Sequence, residues 1–224
     1  MNAPYAAVFD MDGVIIDSNP FHKVALRQFC EKYGYHLTDE ELRSRIYGRT
    51  NKEWITNLFG RSLSKSDLDR YAEEKESLFR ELYKNDIAAV AGLEDFLKKL
   101  RSNGFPIAIG TSAPRSNVDF VLQATGLGAY FDVILDESHV QHGKPNPEIY
   151  LNVAKALGYS PTQCLVFEDS LSGVEAAQQA GAKVVGITTT HSEEELNHTD
   201  FCCADFRLLE PVNLFSRVFG TKGV

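Results

Sequence analysis

At 224 residues, 43% hydrophobic and 24% charged, the sequence can bury the core of one large domain, or of one domain carrying a smaller insert, and its make-up excludes a disordered or membrane-spanning chain. A formal net charge of -8 argues against nucleic acid or an anionic membrane as partner, while a few local cations can still hold a small phosphorylated ligand. Cys30, Cys164, Cys202 and Cys203 form no C-x-x-C pair or zinc spacing, and MNAPYAAVFD lacks the features of a secretion signal, so a cytoplasmic, reduced and monomeric protein is expected.

The first apolar run, YAAVF (5–9), is a predicted strand, followed at once by Asp10 and Asp12 in VFDMDGVIID. Asp17 and Ser18 then read as the start of a helix. From 18 to 90 the patterns are helical, with no convincing strand: PFHKVALRQFCEKYG, TDEELRSRIYG, NKEWITNLF and DLDRYAEEKESLFRELY. Thr38 with Glu41 reads as a capping box at the start of the second. Trp54 is expected to pack inside this block.

Beyond it, helix and strand alternate. GLEDFLKKLRSNG precedes the strand PIAIG (106–110), NVDFVLQATG precedes DVIL (132–135), NPEIYLNVAKALG precedes QCLVF (163–167), and SGVEAAQQAG precedes AKVVGI (182–187). Gly104, Gly126, Gly158 and Gly181 each close a helical stretch. The polar HSEEELNHTD leads to a last short strand and helix. The pattern predicts an α/β fold, a parallel sheet covered by helices on both faces, built from 1–17 and 91–224, with 18–90 as an inserted helical domain.

In such a sheet ligands bind beyond the carboxyl ends of the strands. The residues there are Asp10 and Asp12, Thr111 and Ser112, Lys144 in GKPNPE, and Glu168 with Asp169 in FEDS. Four converging carboxylates repel one another unless a cation sits among them, and hard oxygen ligands suit Mg2+. A metal, a lysine and hydroxyls together suit a phosphoryl group. One carboxylate can then attack phosphorus to give an aspartyl phosphate while a second carries protons.

These motifs, in this order, resemble the haloacid dehalogenase superfamily over essentially the whole chain. The resemblance implies a Rossmann-like core with a four-helix-type cap inserted after the first strand. It makes Asp10 the nucleophile and Asp12 the general acid/base, with Thr111 and Lys144 as the second and third motifs. Mg2+ is then held by the Asp10 side chain, the Asp12 backbone carbonyl and Asp169, with Glu168 as a ligand or a partner of one. The presence of Asp12 favours phosphoryl chemistry over carbon–halogen cleavage.

The insert is similar to that of β-phosphoglucomutase and related sugar-phosphate phosphatases. By that likeness His22 relays cap closure, Lys75 contacts substrate, and Asn51 stands where the mutase carries an arginine for its second phosphate. Ser112, Asn146, and Gly48, Arg49 and Lys52 of the loop YGRTNKEW complete the expected substrate contacts. Read from the residues alone, His22 is equally a packing histidine, Arg49 and Lys52 are surface charges or an anion contact, and Lys75 lies on the solvated face of a charged helix. The expected activity is Mg2+-dependent hydrolysis of a small organic phosphate, with β-phosphoglucomutase as the alternative and a phospho-accepting signalling module as a rival of another class.

Overall fold

The computed structural model describes residues 3–38, 40–42 and 50–220. The apolar runs become strands β1 (Ala6–Phe9), β2 (Ile107–Gly110), β3 (Val133–Leu135), β4 (Cys164–Glu168), β5 (Lys183–Ile187) and β6 (Phe201–Cys203). They form one six-stranded sheet in the order β3-β2-β1-β4-β5-β6, every neighbouring pair parallel. The described helices are α1 (Asn19–Lys32), α2 (Asn51–Phe59), α3 (Lys65–Tyr83), α4 (Leu93–Ser102), α5 (Arg115–Thr125), α6 (Glu148–Leu157), α7 (Leu171–Ala180) and α8 (Pro211–Phe219). Gly126, Gly158 and Gly181 end α5, α6 and α7 at positive φ, where a side chain would be strained.

The chain divides into two compact units, Met1–Asp17 with Ile87–Val224, and Ser18–Asp86. In the first, β1 is buried along its whole length because both faces are covered. Ala6 and Val8 pack with Ile149, Tyr150 and Val153 of α6 and Val174 and Ala177 of α7. On the opposite face Phe9 stacks on its register partner Phe167 of β4, ring centroids 4.5 Å apart, and meets Phe96 of α4 edge-on. Alternation along the strand thus feeds two cores, which is why these runs are apolar at every position. Within this unit Val90 N donates to Ile15 O at 2.9 Å, closing the chain's return after residue 86.

The second unit packs Phe29 of α1, Trp54 and Leu58 of α2 and Tyr71 of α3 into its own core, with Trp54 edge-on to Phe29 at 5.4 Å. The Thr38–Glu41 capping box is present, Thr38 N donating to Glu41 Oε2 at 2.8 Å and Glu41 N to Thr38 Oγ1 at 3.2 Å. The rest of that predicted helix, with Gly48 and Arg49, lies outside the described residues.

One expectation holds in position and another needs correction. The helix start read at Asp17 and Ser18 is where α1 begins, with Ser18 at the N-cap, although no side-chain cap hydrogen bond forms there; the exposed Asp17 precedes it, and Pro20 in the first turn favours the start. Lys75 is buried, not solvated, at 4% exposure. The i, i+4 series Tyr71, Lys75, Phe79 and Tyr83 forms the buried stripe of α3, and the charged composition of the helix hides it.

A second capping box starts α2: Thr50 Oγ1 accepts from Glu53 N at 3.3 Å, and Thr50 N donates to Glu53 Oε2 at 3.0 Å. Thr50→Ala is expected to lower stability by about 1 kcal/mol, a fall of about 2–4 °C in Tm measured by calorimetry. No helix among the described residues is long and apolar enough to cross a membrane, and the four cysteines form no disulfide.

Candidate active site

The sheet order places β1 and β4 side by side at its centre, and the connections from their carboxyl ends run to opposite sides, opening a crevice there. Asp10 follows β1, its N–H donating to Phe167 O at 3.0 Å, while Glu168 ends β4 and Asp169 follows it. One oxygen from each of Asp10, Glu168 and Asp169 lies within 4.8 Å of the others, and all three residues are buried. Lys144, from the loop before α6, places Nζ 2.7 Å from Asp10 Oδ1 and 2.6 Å from Glu168 Oε1. The Lys144–Pro145 peptide is cis. Thr111 stands at the end of β2, 1% exposed, its N–H bonded to Leu135 O and its Oγ1 accepting from Ala113 N.

The local chain explains how Glu168 is held. Its Oε2 accepts from Asp169 N at 3.0 Å, Ser170 N at 3.1 Å and Ser170 Oγ at 3.0 Å, so the carboxylate folds back on its own turn. Its Oε1 accepts from Lys144 and, at 2.7 Å, from the Tyr150 hydroxyl. Five donors on one carboxylate saturate its lone pairs. Burial alone raises the Glu168 pKa, but the charge and hydrogen bond of Lys144, with Tyr150 and Ser170, bring it below its usual range.

Its neighbours behave in the opposite way. Burial, with the negative charges of Glu168 and Asp12, pushes Asp10 up to about 7 against the opposing pull of Lys144. Burial and the charges of Glu168 and Asp10 raise Asp169 well above the carboxylate range, although a Thr190 hydrogen bond opposes this. Lys144 is raised well above its ordinary value, because Asp10 and Glu168 outweigh the cost of burying an ammonium.

With all three carboxylates ionised, one ammonium would leave two negative charges uncompensated; the upward shifts of Asp10 and Asp169 express that deficit, which a divalent cation would fill. The donors are hard oxygens, and oxygens that all lie within 4.8 Å of one another can close on an octahedral Mg2+, whose opposite ligands are roughly 4.2 Å apart. The residues therefore fit Mg2+. The Asp12 carboxylate is not part of this cluster.

Ser112 and Asn146 are exposed, and Asn146 Oδ1 accepts from Glu148 N at 3.0 Å, supporting the start of α6. His22, Asn51, Lys52 and Lys75 belong to the helical unit. There Lys75 Nζ lies 2.8 Å from His22 Nδ1 and 3.0 Å from Glu76 Oε1, and His22 stacks on Phe79 at 3.7 Å. Asn51 donates Nδ2 to Glu76 Oε1 at 3.2 Å and accepts from Trp54 Nε1 at 2.8 Å; Lys52 is exposed.

The spacing argument passes over three residues that touch the site. Tyr150 reads as part of the apolar stripe of α6. Thr189 and Thr190 follow β5, a strand end as informative as the others; Thr189 Oγ1 donates to Gly13 O at 2.5 Å, and Thr190 Oγ1 donates to Asp169 Oδ2.

With this geometry in place, residues 7–187 match the family model of the haloacid dehalogenase-like hydrolases. A phosphorylated carbohydrates phosphatase of Thermotoga maritima is 38% identical over 187 residues, 81% of this chain and 84% of that protein. A fructose-1-phosphate phosphatase of Escherichia coli is 32% identical over 182 residues, 80% of this chain and 94% of that protein. The crystal structure of a β-phosphoglucomutase from Clostridium difficile superposes with a TM-score of 0.83 at 28% identity, covering 98% of each chain. The sheet order, the strand-end acids and these likenesses agree, and the chain belongs to the haloacid dehalogenase-like hydrolases.

Proposed function

We propose that this phosphatase of the haloacid dehalogenase type is Mg2+-dependent, acts on a small phosphorylated sugar and works through an aspartyl phosphate on Asp10. The observation that carries the reading is the buried group Asp10, Lys144, Glu168 and Asp169 at the carboxyl ends of β1 and β4, in which acids outnumber cations. Asp10 and Asp169, with the Asp12 backbone carbonyl, would hold the ion. When bound, Mg2+ supplies positive charge against the phosphoryl oxygens.

In the first step an Asp10 carboxylate oxygen bonds to phosphorus, the bond from phosphorus to the sugar oxygen breaks, and Asp12 gives that oxygen a proton. In the second, Asp12 takes a proton from water, whose oxygen attacks phosphorus and releases phosphate and the Asp10 carboxylate. Lys144 and Thr111 neutralise and orient the phosphoryl oxygens, and Glu168 holds Lys144 in place.

The likeness to a β-phosphoglucomutase favours a second reading, in which a sugar hydroxyl replaces water as acceptor. Asn51 argues for the hydrolase. Where that enzyme class carries an arginine, both ends of the Asn51 amide are engaged by Glu76 and Trp54, so this position offers no cation to a second phosphate.

The test is an assay with β-glucose 1-phosphate and fructose 1-phosphate, following free phosphate and glucose 6-phosphate together. Expected are Mg2+-dependent phosphate release without glucose 6-phosphate, and loss of activity in excess EDTA restored by Mg2+. Glucose 6-phosphate without free phosphate would establish the mutase, and a stable phosphoaspartate without turnover would establish a signalling module.

A further inference from the structure

The loop after β5 reaches two parts of the site. Thr188 N donates to Cys203 O at 3.0 Å, continuing the ladder toward β6, and this anchors the next two residues. Thr189 Oγ1 then bonds the carbonyl of Gly13, next to Asp12, and Thr190 Oγ1 bonds Asp169 Oδ2. Asp169 is 2% exposed and faces two other acids. Repulsion within such a group turns a carboxylate away from its neighbours unless a donor holds it.

Resting on the Mg2+ reading above, we propose that Thr190 is a positioning residue of the metal site: its hydroxyl sets the orientation in which Asp169 meets the cation. Glu168 supplies a control. It has five donors, so losing the Tyr150 hydroxyl leaves four in place. Thr190 sits on a loop whose two flanking anchors are backbone and Thr189 contacts, so its hydroxyl can be removed without releasing the loop.

Groups that orient a metal ligand typically contribute about 10–100-fold in metal affinity. Mg2+ binding is therefore to be measured by calorimetry, without substrate, on the parent and on Thr190→Val, Thr190→Ser, Tyr150→Phe and Asp169→Asn. Expected for Thr190→Val is a dissociation constant about 10–100-fold weaker, with the metal-free Tm within a few degrees of the parent. Thr190→Ser is expected to recover most of the affinity, and Tyr150→Phe to change it by a few-fold at most. Thr190→Ala carries the same expectation should the valine variant not fold. A Thr190→Val or Thr190→Ala protein that binds Mg2+ within twofold of the parent overturns the proposal. A parent that binds no Mg2+, or an Asp169→Asn protein that binds it equally well, overturns the metal reading itself and the proposal with it.

Discussion

Asp10→Asn is expected to reduce the rate of phosphate release by on the order of a thousandfold or more at saturating Mg2+, while leaving the metal-free protein at least as stable as the parent. The loss follows from chemistry: the amide oxygen cannot form the acyl phosphate, and no other residue takes over the attack. The stability follows from electrostatics. The folded-state pKa of Asp10, about 7, lies above its ordinary 3.8, so folding favours the protonated form. Stability contributed by this group is present below about pH 4 and is lost as pH rises toward 7; above that, the native state carries an ionised carboxylate at a penalty. Asparagine removes the penalty, and Lys144 keeps Glu168 as its partner at 2.6 Å. Thermal denaturation in EDTA at pH 8 should therefore place the Tm of the variant at or above that of the parent. A variant that melts well below it would mark Asp10 as a structural partner of Lys144, and one retaining most of its turnover would remove it as nucleophile.

The sheet and this acid cluster were legible because both depend on short-range order in the chain. Five apolar runs of strand length lie within a residue of β1 to β5, and Asp10, Glu168 and Asp169 sit at the ends of two of them. Neighbours in the sheet follow from the order of crossovers, so residues far apart in sequence meet at one edge. Lys75 was not legible: ten charged residues in α3 resemble a solvated helix, and the burial of one of them depends on which stripe turns inward, where Lys75 lies beside His22 and Phe79. Nor was Tyr150, since an aromatic within an apolar stripe reads as packing until its hydroxyl is seen to reach Glu168. Gly173 is the extreme case, because its importance lies in a side chain it lacks.

Gly173→Ala would ordinarily stabilise a helix, by about 0.8–1.0 kcal/mol. Here it is expected to do the opposite and to impair catalysis as well. A Cβ at this position in α7 would lie 1.7 Å from Glu168 Oε1, 2.0 Å from its Cδ and 2.4 Å from Oε2. The carboxylate thus occupies the space a side chain would need, and it has no solvent to retreat into, being 0% exposed. Moving it breaks charge-assisted bonds to Lys144 and to the Asp169 and Ser170 backbone, and breaking a buried charge pair costs about 3–5 kcal/mol. For a chain of this size that is a fall in Tm of roughly 10 °C. Lys144 loses its second anchor, so turnover should fall even in protein that remains folded. Gly128→Ala serves as control, since a Cβ there would meet only Leu122 Cβ at 3.8 Å and should change stability by about 0.5 kcal/mol at most. The decisive measurement is the double-mutant cycle with Glu168→Ala: once the carboxylate is gone, the alanine at 173 has nothing to displace, and its cost should largely vanish. If Gly173→Ala costs the same with and without Glu168, then the glycine is required by the helix itself and not by the carboxylate seated over it.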